Sequence, residues 1–242
     1  MIGGFLFYEK IVHCVQKIAE QIMKLIDFHT HTFFSDGELS PAEHIRRAEV
    51  AGYYAIGLTD HVDYSNYEHV FESVKKMTDM IEKSGWNIIA IPGVEFTHVP
   101  AALIGDLTKK ARDFGIKLII VHGETIAEPV EPGTNRAAIE AGVTILAHPG
   151  LITEEEARLA AQNGVYLEIT SKKGHSLTNG HVYKVAKKVG AEMVLDSDSH
   201  SDSDFLSPEY AKAVLAGCGM DEQDIQNVLS NNCKLLEKLT GK

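Results

Sequence analysis

Histidine and carboxylate side chains recur at the ends of short apolar runs along this chain, at spacings that let them converge. The runs close on His29 and His31, on Asp60-His61, on Glu95, on His122 and Glu124, on His148, and on Asp198 and His200. Six of the 12 His residues fall there, in a chain with 9 Phe and 8 Tyr, so imidazole is enriched where a site would form. Taken singly, each reads as a hydrogen-bonded core histidine or a helix-capping carboxylate. Taken together they do not, because burying so many imidazoles and carboxylates at one rim without a cation leaves several charges uncompensated, each costing several kcal/mol. Divalent metals remove that cost. A mixed His/carboxylate set suits Zn, Mn or Fe better than Ca, which prefers oxygen donors. The donors exceed what one ion needs, so two or three ions with at least one bridging carboxylate are expected.

The elements that must position these donors are legible as well. The apolar runs span 24–31, 54–61, 87–96, 117–124, 144–150, 165–170 and 192–200, with helical segments between them. Ser40-Pro41-Ala42-Glu43 and Thr153 through Glu156 have the form of capping boxes, and Ser207-Pro208 opens another helix. Near-continuous apolar strands alternating with helices predict a parallel sheet covered on both faces. Such units without a long linker favour one closed or nearly closed α/β barrel over an open doubly wound sheet, since no Gly-rich phosphate turn follows the first strand. The polar residues then lie at the C-terminal strand ends, where barrel enzymes place their sites. With a strand period of two, His29 and His31 share a face, as do Asp198 and His200, whereas Asp60 and His61 oppose. His61 is therefore expected as a ligand and Asp60 as the acceptor that sets an imidazole tautomer. Asp27 is expected beneath the first ion, and Glu124 as an outer acceptor or proton shuttle.

Composition bounds the rest. With 242 residues, 44% hydrophobic and 24% charged, the chain can bury about 70% of its unfolded surface in one large core. Disorder and a disulfide-stapled mini-protein are excluded. The balance of 34 Asp+Glu against 23 Lys+Arg, a net charge of −11, disfavours long nucleic acid as a partner. No run reaches membrane-spanning length, the first residues lack the form of a signal peptide, and Cys14, Cys218 and Cys233 make no metal-type spacing, so a cytoplasmic location is expected. Residues 8–24 carry a helical apolar stripe. Residues 1–23 are thus read as an N-terminal amphipathic helix that packs on the domain or on a partner in a homo-oligomer, and residues 24–242 as the barrel domain. Met23 is an alternative natural start.

DFHTH at 27–31 with Ser35-Asp36-Gly37, LTDH at 58–61, PGVE at 92–95, VHGE at 121–124, AHPG at 147–150 and DSDSH at 196–200 resemble, in order, the motif series of the polymerase and histidinol phosphatase (PHP) family. The resemblance runs from about Lys24 to the C-terminus. It implies a distorted seven-stranded (β/α)7 barrel with a trinuclear metal site that hydrolyses phosphoesters. Carried over by motif, one ion takes His29, His31, Glu95 and Asp198, a second shares Glu95 and takes His122 and His148, and a third takes Asp36, His61 and His200. Asp198 and His200 are also read as catalytic. A hydroxide bridging two ions would attack phosphorus in line, with the ions neutralising charge on the phosphoryl oxygens. No side-chain nucleophile motif is present.

Phosphate substrates call for a cation beyond the metals. Arg136 and Lys172 are the candidates, with His175 as a further substrate contact; Lys173 reads as a solvated surface lysine. For His175, as for Asn179 and His181, helix capping competes with substrate contact. His98 reads as an outer contact to the ligands or as a substrate-facing residue, and His13, His44 and His69 have no assigned role. The expected function is hydrolysis of a small phosphomonoester, of the histidinol phosphate or nucleotide phosphate kind. Alternatives are a 3′–5′ exonuclease or nucleoside-bisphosphate phosphatase and, from another class, a non-catalytic metal-binding regulatory module. C–N bond hydrolysis is disfavoured, because no lysine is placed as a bridging ligand.

Overall fold

Each apolar run becomes a parallel strand, and each helix-start signal a helix, in the computed structural model, which describes residues 25–241. The strands are β1 (Leu25–Asp27), β2 (Tyr53–Leu58), β3 (His61–Val62), β4 (Ile89–Phe96), β5 (Leu118–His122), β6 (Ile145–Ala147), β7 (Tyr166–Thr170) and β8 (Met193–Asp196). The helices are α1 (Pro41–Val50), α2 (Tyr67–Ser84), α3 (Ala101–Phe114), α4 (Thr134–Ala141), α5 (Glu154–Asn163), α6 (Asn179–Val189), α7 (Pro208–Gly217) and α8 (Glu222–Thr240). The helix expected over residues 1–23, and with it the start-site and oligomer questions, lies outside the described residues. No helix among the described residues is long and apolar enough to cross a membrane.

The sheet order is β1-β2-β4-β5-β6-β7-β8, all parallel. β3 pairs with β4 in the register that β2 uses: Leu58 opposes Pro92 and His61 opposes Glu95. β2 and β3 are thus one strand interrupted at Thr59-Asp60, which brings the barrel to seven strands. Between β1 and β8 no ladder forms. A bridge at Thr30 and Ser199 joins them, with His31 N–H donating to the Ser199 carbonyl at 2.8 Å and Phe28 N–H to Asp196 Oδ1 at 2.6 Å. The barrel is nearly closed.

The strand period sorts side chains into two cores. Ile56, Leu58, Val94, Ile119, Val121, Leu167, Ile169 and Leu195 face the surrounding helices. Ile26, Phe28, Ile91, Leu118, Ile120, Ile145, Tyr166 and Val194 fill the interior, joined by Leu235, Leu236 and Leu239 of α8, which therefore stops the mouth at the strands' N-terminal ends. Continuing the inward parity toward the other mouth gives Glu95 after Ile91, His122 after Ile120, Glu168 after Tyr166, and Asp196 and Asp198 after Val194. The apolar floor thus hands over to a polar roof.

Helix starts follow the sequence signals with one difference. Thr153 and Glu156 form both arms of a capping box, and Ser207 caps α7 through Tyr210 N–H. At Ser40 one arm forms, onto Glu43 N–H, while the Glu43 carboxylate turns to Arg47. The guanidinium offers that carboxylate a charged partner that the backbone cannot match.

α8 also holds the seam. The buried Asn232 carboxamide accepts from Leu195 N–H at 3.0 Å and donates to the carbonyls of Leu195 at 2.9 Å and Ile26 at 3.1 Å, so one side chain ties β8 to β1. Asn232→Ala leaves these backbone groups buried and unpaired, for a predicted loss of about 2–3 kcal/mol. Urea unfolding should show the midpoint falling at an unchanged m-value; a loss under about 0.5 kcal/mol would show that the seam does not depend on this residue.

Candidate metal centre

The handover from apolar floor to polar roof concentrates donors in one place. His29 and His31 lie just past the end of β1, His61 begins β3, Glu95 is in β4, His122 ends β5, His148 follows β6, and Asp198 and His200 follow β8. His29, His31, Glu95, His122, His148 and Asp198 are buried, whereas His61 and His200 are partly exposed and Asp36 is exposed. The imidazoles form a continuous chain. His31 lies 4.3 Å from His200, 4.2 Å from His61 and 5.0 Å from His29, centroid to centroid; His29 stacks on His148 at 5.6 Å, and His148 meets His122 at 4.5 Å.

The carboxylates sit among them. Glu95 Oε2 is 2.7 Å from His61 Nδ1, 3.3 Å from His29 Nε2 and 3.6 Å from His31 Nε2. Asp198 Oδ1 is 3.2 Å from His31 Nε2, and Asp36 Oδ1 is 3.2 Å from His200 Nε2 and 3.5 Å from His61 Nε2. Four groups of side chains bring their ligating atoms close enough to hold an ion: His31, Asp36, His61 and His200; His29, His31 and Asp198; His29, His148 and Glu168; and His122, His148 and His175.

Unsatisfied atoms test whether metals fit. Buried His29 Nε2, His31 Nε2, His148 Nε2, Glu95 Oε1 and Asp198 Oδ1 have no hydrogen-bond partner. Buried polar atoms are normally paired, and these are lone-pair donors facing a common centre. The outward nitrogens of His29 and His148, by contrast, are engaged. His29 Nδ1 and His148 Nδ1 donate to the two oxygens of Glu168, at 2.6 and 2.9 Å, which turns each Nε2 inward. The donor set fits divalent metals.

Electrostatics agree. Burial pulls the His29 pKa down, but the carboxylates of Glu95, Glu168 and Asp198 outweigh it and hold the ring's pKa well above the ordinary histidine range. His31, buried and beside His61, is pushed down to about 3 and stays neutral. Glu95, despite burial, is held well below the carboxylate range by His29 and His61. Deeper in the barrel, Asp196 goes the other way: burial and the like charges of Asp27 and Glu168 raise it well above that range.

Local sequence explains the placement. Gly37 follows Asp36 because the turn back onto His31 leaves no room for a side chain, as a Cβ would lie 2.3 Å from the His31 carbonyl oxygen. Gly150 of the AHPG run has φ 63°, and its Cβ would fall 1.8 Å from the Glu124 carbonyl oxygen. Asp198 and His148 adopt positive φ without being glycine, at 54° and 27°. Such backbone is uncommon outside glycine, Asp and His being among the types that adopt it most readily, and it persists where the surroundings over-determine it.

Several expected roles change. Asp60 touches no imidazole; it accepts from Thr32 N–H, Thr32 Oγ1 and Ser35 Oγ at 2.7–2.8 Å and so holds the turn that presents Asp36. The strand break at Thr59-Asp60 is what frees it from strand parity. Glu124 is not brought into the cluster's groups; its Oε1 accepts from Gly133 N–H and Asn135 N–H at 2.9 Å, capping α4, because the chain leaves strand geometry after His122. Arg136 is not brought in either. Its exposed guanidinium pairs with Glu140 and Glu155, satisfied by helix neighbours. Asp27 accepts from His29 N–H and Ser197 N–H, both at 3.2 Å, and so steadies two donor-bearing segments. Asn179 bonds the Thr170 backbone and His181 the Ile152 carbonyl, while His44 packs on Phe205.

Lys172 does reach the cluster, its Nζ 2.5 Å from His200 Nδ1 and 3.0 Å from the Asp198 carbonyl. His175 is buried and stacks on His148 at 4.2 Å. Glu168 has no role assigned from the sequence, although it is the one charged residue in VYLEIT, a run otherwise fit for a buried strand. Glu128 had no such signal: it lies in the loop after β5, with its carboxylate 3.3–3.6 Å from Nε2 of His122, His175 and His98.

A model of the PHP domain family matches residues 27–216. An uncharacterized protein of Methanocaldococcus jannaschii is 45% identical over 213 residues, covering 88% of this chain and 98% of that one. Ribonuclease P protein component 3 of Methanosarcina mazei is 27% identical over 96% of this chain and 89% of its own. A probable phosphatase of a Shewanella species is 30% identical over 72% of this chain and 76% of its own. Among solved structures, histidinol phosphate phosphatase from Lactococcus lactis, complexed with zinc, L-histidinol and phosphate, shares the fold at TM-score 0.57 and 18% identity, covering 82% of this chain and 95% of that one.

Two outcomes follow from the centre's electrostatics. Because the raised His29 pKa keeps the ring protonated at neutral pH in the metal-free chain, metal entry must expel that proton, and apparent metal affinity should fall as pH drops below that pKa. Calorimetry of metal binding at pH 7 in buffers of different ionisation heat should report net proton release; a buffer-independent heat would contradict it. Glu168→Gln should lower metal affinity about 10–100-fold with the circular dichroism unchanged, read by competition with a chromophoric chelator.

Proposed function

The chain belongs to the PHP domain family, and we propose that, as a metal-dependent phosphoesterase of that family, it acts on small phosphomonoesters of the histidinol phosphate or nucleotide phosphate kind. The observation that carries this reading is the inward convergence of unpaired buried donors: His29 Nε2, His31 Nε2, His148 Nε2, Glu95 Oε1 and Asp198 Oδ1. We assign two or three ions of the Zn, Mn or Fe type. One takes His29, His31, Glu95 and Asp198, a second takes Glu95, His122 and His148, and a third takes Asp36, His61 and His200. The close grouping of His31, Asp36, His61 and His200 supports the third. Bound ions supply a water of lowered pKa and neutralise charge on the phosphoryl oxygens.

The chain's own residues prepare that chemistry. Glu168 locks the His29 and His148 rings, Asp60 holds the turn bearing Asp36, and Asp27 clamps the segments carrying His29 and Asp198. Lys172 is the cation at the rim; released from His200 Nδ1, its ammonium can bind a phosphoryl oxygen. His200 and Asp198 face the same space and hold the reacting phosphoryl group's surroundings in place.

A second reading, as a protein component of an RNA-processing assembly, is favoured by the likeness to ribonuclease P protein component 3. A net charge of −11 and acidic residues such as Asp36 and Glu128 at the mouth weigh against a broad phosphate-backbone surface. Phosphate release from a panel of phosphomonoesters by the metallated protein separates the readings. Release should be lost on chelation, restored by metal, and reduced at least about 1,000-fold, roughly 4 kcal/mol, in His29→Ala. A fully metallated sample inert toward the whole panel, yet retained on structured RNA, would reverse the assignment.

A further inference from the structure

The second ion's pocket has more donors facing it than His122 and His148. His175 comes from the loop after β7, in a 3-10 turn at His175–Thr178, and its ring is fixed from behind by Thr125 Oγ1 at 2.8 Å from Nδ1. That contact leaves Nε2 aimed at the cleft. The ring lies 4.2 Å from His148 and 5.5 Å from His122, and the three histidines' ligating atoms lie within 4.8 Å of one another. Glu128 closes the same space, with one carboxylate oxygen 3.3 Å from His122 Nε2 and the other 3.4 Å from His175 Nε2.

Charge supplies the reason for both. Glu95 Oε2 is already shared among His29, His31 and His61, so only Oε1 is left for this end of the centre. Three neutral imidazoles leave most of a divalent charge uncompensated, and a second carboxylate corrects that. Glu128 is suited to leave again. Its loop is pinned at the base by the bonds of Glu124 to Gly133 N–H and Asn135 N–H, yet its own side chain is 40% exposed, whereas Glu95 is fully buried.

We propose that His175 and Glu128 complete the coordination of the ion at His122 and His148, with the Glu128 carboxylate as the donor that a phosphoryl oxygen displaces. Glu128 then acts as an internal competitor that keeps the ion covered until a phosphate arrives and lowers the apparent phosphate affinity by the fraction of time it is bound. This rests on the metal-centre reading above, and its test needs no turnover.

Wild type, His175→Gln, His175→Ala and Glu128→Gln are loaded with Co²⁺, and each is measured for ions bound, visible absorption and inorganic phosphate affinity by calorimetry. His175→Gln should weaken one ion by at least about tenfold and change the ligand-field bands, and added imidazole should restore those bands in His175→Ala. Glu128→Gln should change the phosphate-free spectrum and bind inorganic phosphate about tenfold more tightly, since no carboxylate has to leave. Variants that match wild type in ion affinity, spectrum and phosphate affinity, while wild type hydrolyses esters, would overturn this assignment and leave the phosphoesterase reading standing. The predicted shifts in a protein without esterase activity would do the reverse.

Discussion

Glu95, Glu168 and Asp198, all essentially withdrawn from water, share a space with His29, His31, His122 and His148 at one mouth of the barrel, and this concentration of charge is the constraint on which the rest of the molecule depends. An uncompensated ion buried in protein costs several kcal/mol, so the arrangement is tolerable only with cations at its centre. The same carboxylates raise the His29 pKa well above the ordinary histidine range against the pull of burial. Among the buried atoms that find no hydrogen-bond partner are those a metal would use, His29 Nε2, His31 Nε2, His148 Nε2, Glu95 Oε1 and Asp198 Oδ1.

The barrel is built to bear that concentration. Its lower half is apolar and stopped by Leu235, Leu236 and Leu239 of α8, which keeps water out from beneath. Above that floor, Glu168 serves two rings at once, while Asp27 and Asp196 hold the backbone of the segments on either side of the open seam. These deep carboxyls pay for no ion directly; they fix the directions in which the donors point. Positive φ at His148 belongs to the same design, since a regular strand continuing from the inward-facing Ala147 would turn that side chain elsewhere.

Much of this was legible from the chain alone, for identifiable reasons. Strand and helix alternation reads out because buried parallel strands must be apolar and helices need start signals, so all the predicted runs became strands. The donors read out because barrel sites lie at strand ends and a strand's last residues are also the last of its run. Strand parity was less dependable. It held for Glu95 and His122, which are within their strands, and for the converging pairs His29 with His31 and Asp198 with His200, and it lapsed for Asp60 and Glu124, where the chain has left strand geometry. Roles inferred from parity shifted accordingly, as with Asp60, which serves a turn, and Glu124, which caps a helix.

The sequence by itself determined the fold class, the order of the donors and the kinds of ion they suit, because these depend on residue type and on spacing within single segments. Which partner each donor meets was decided only by the tertiary structure. Glu168 meets His29 across 139 residues and His148 across 20, and Lys172 rather than Arg136 reaches the rim because helix neighbours claim the guanidinium. The placement of Glu128 over His122 and His175 is of the same kind. Contacts between separate loops depend on where the barrel sets each loop in space, and no local pattern in the chain encodes that distance.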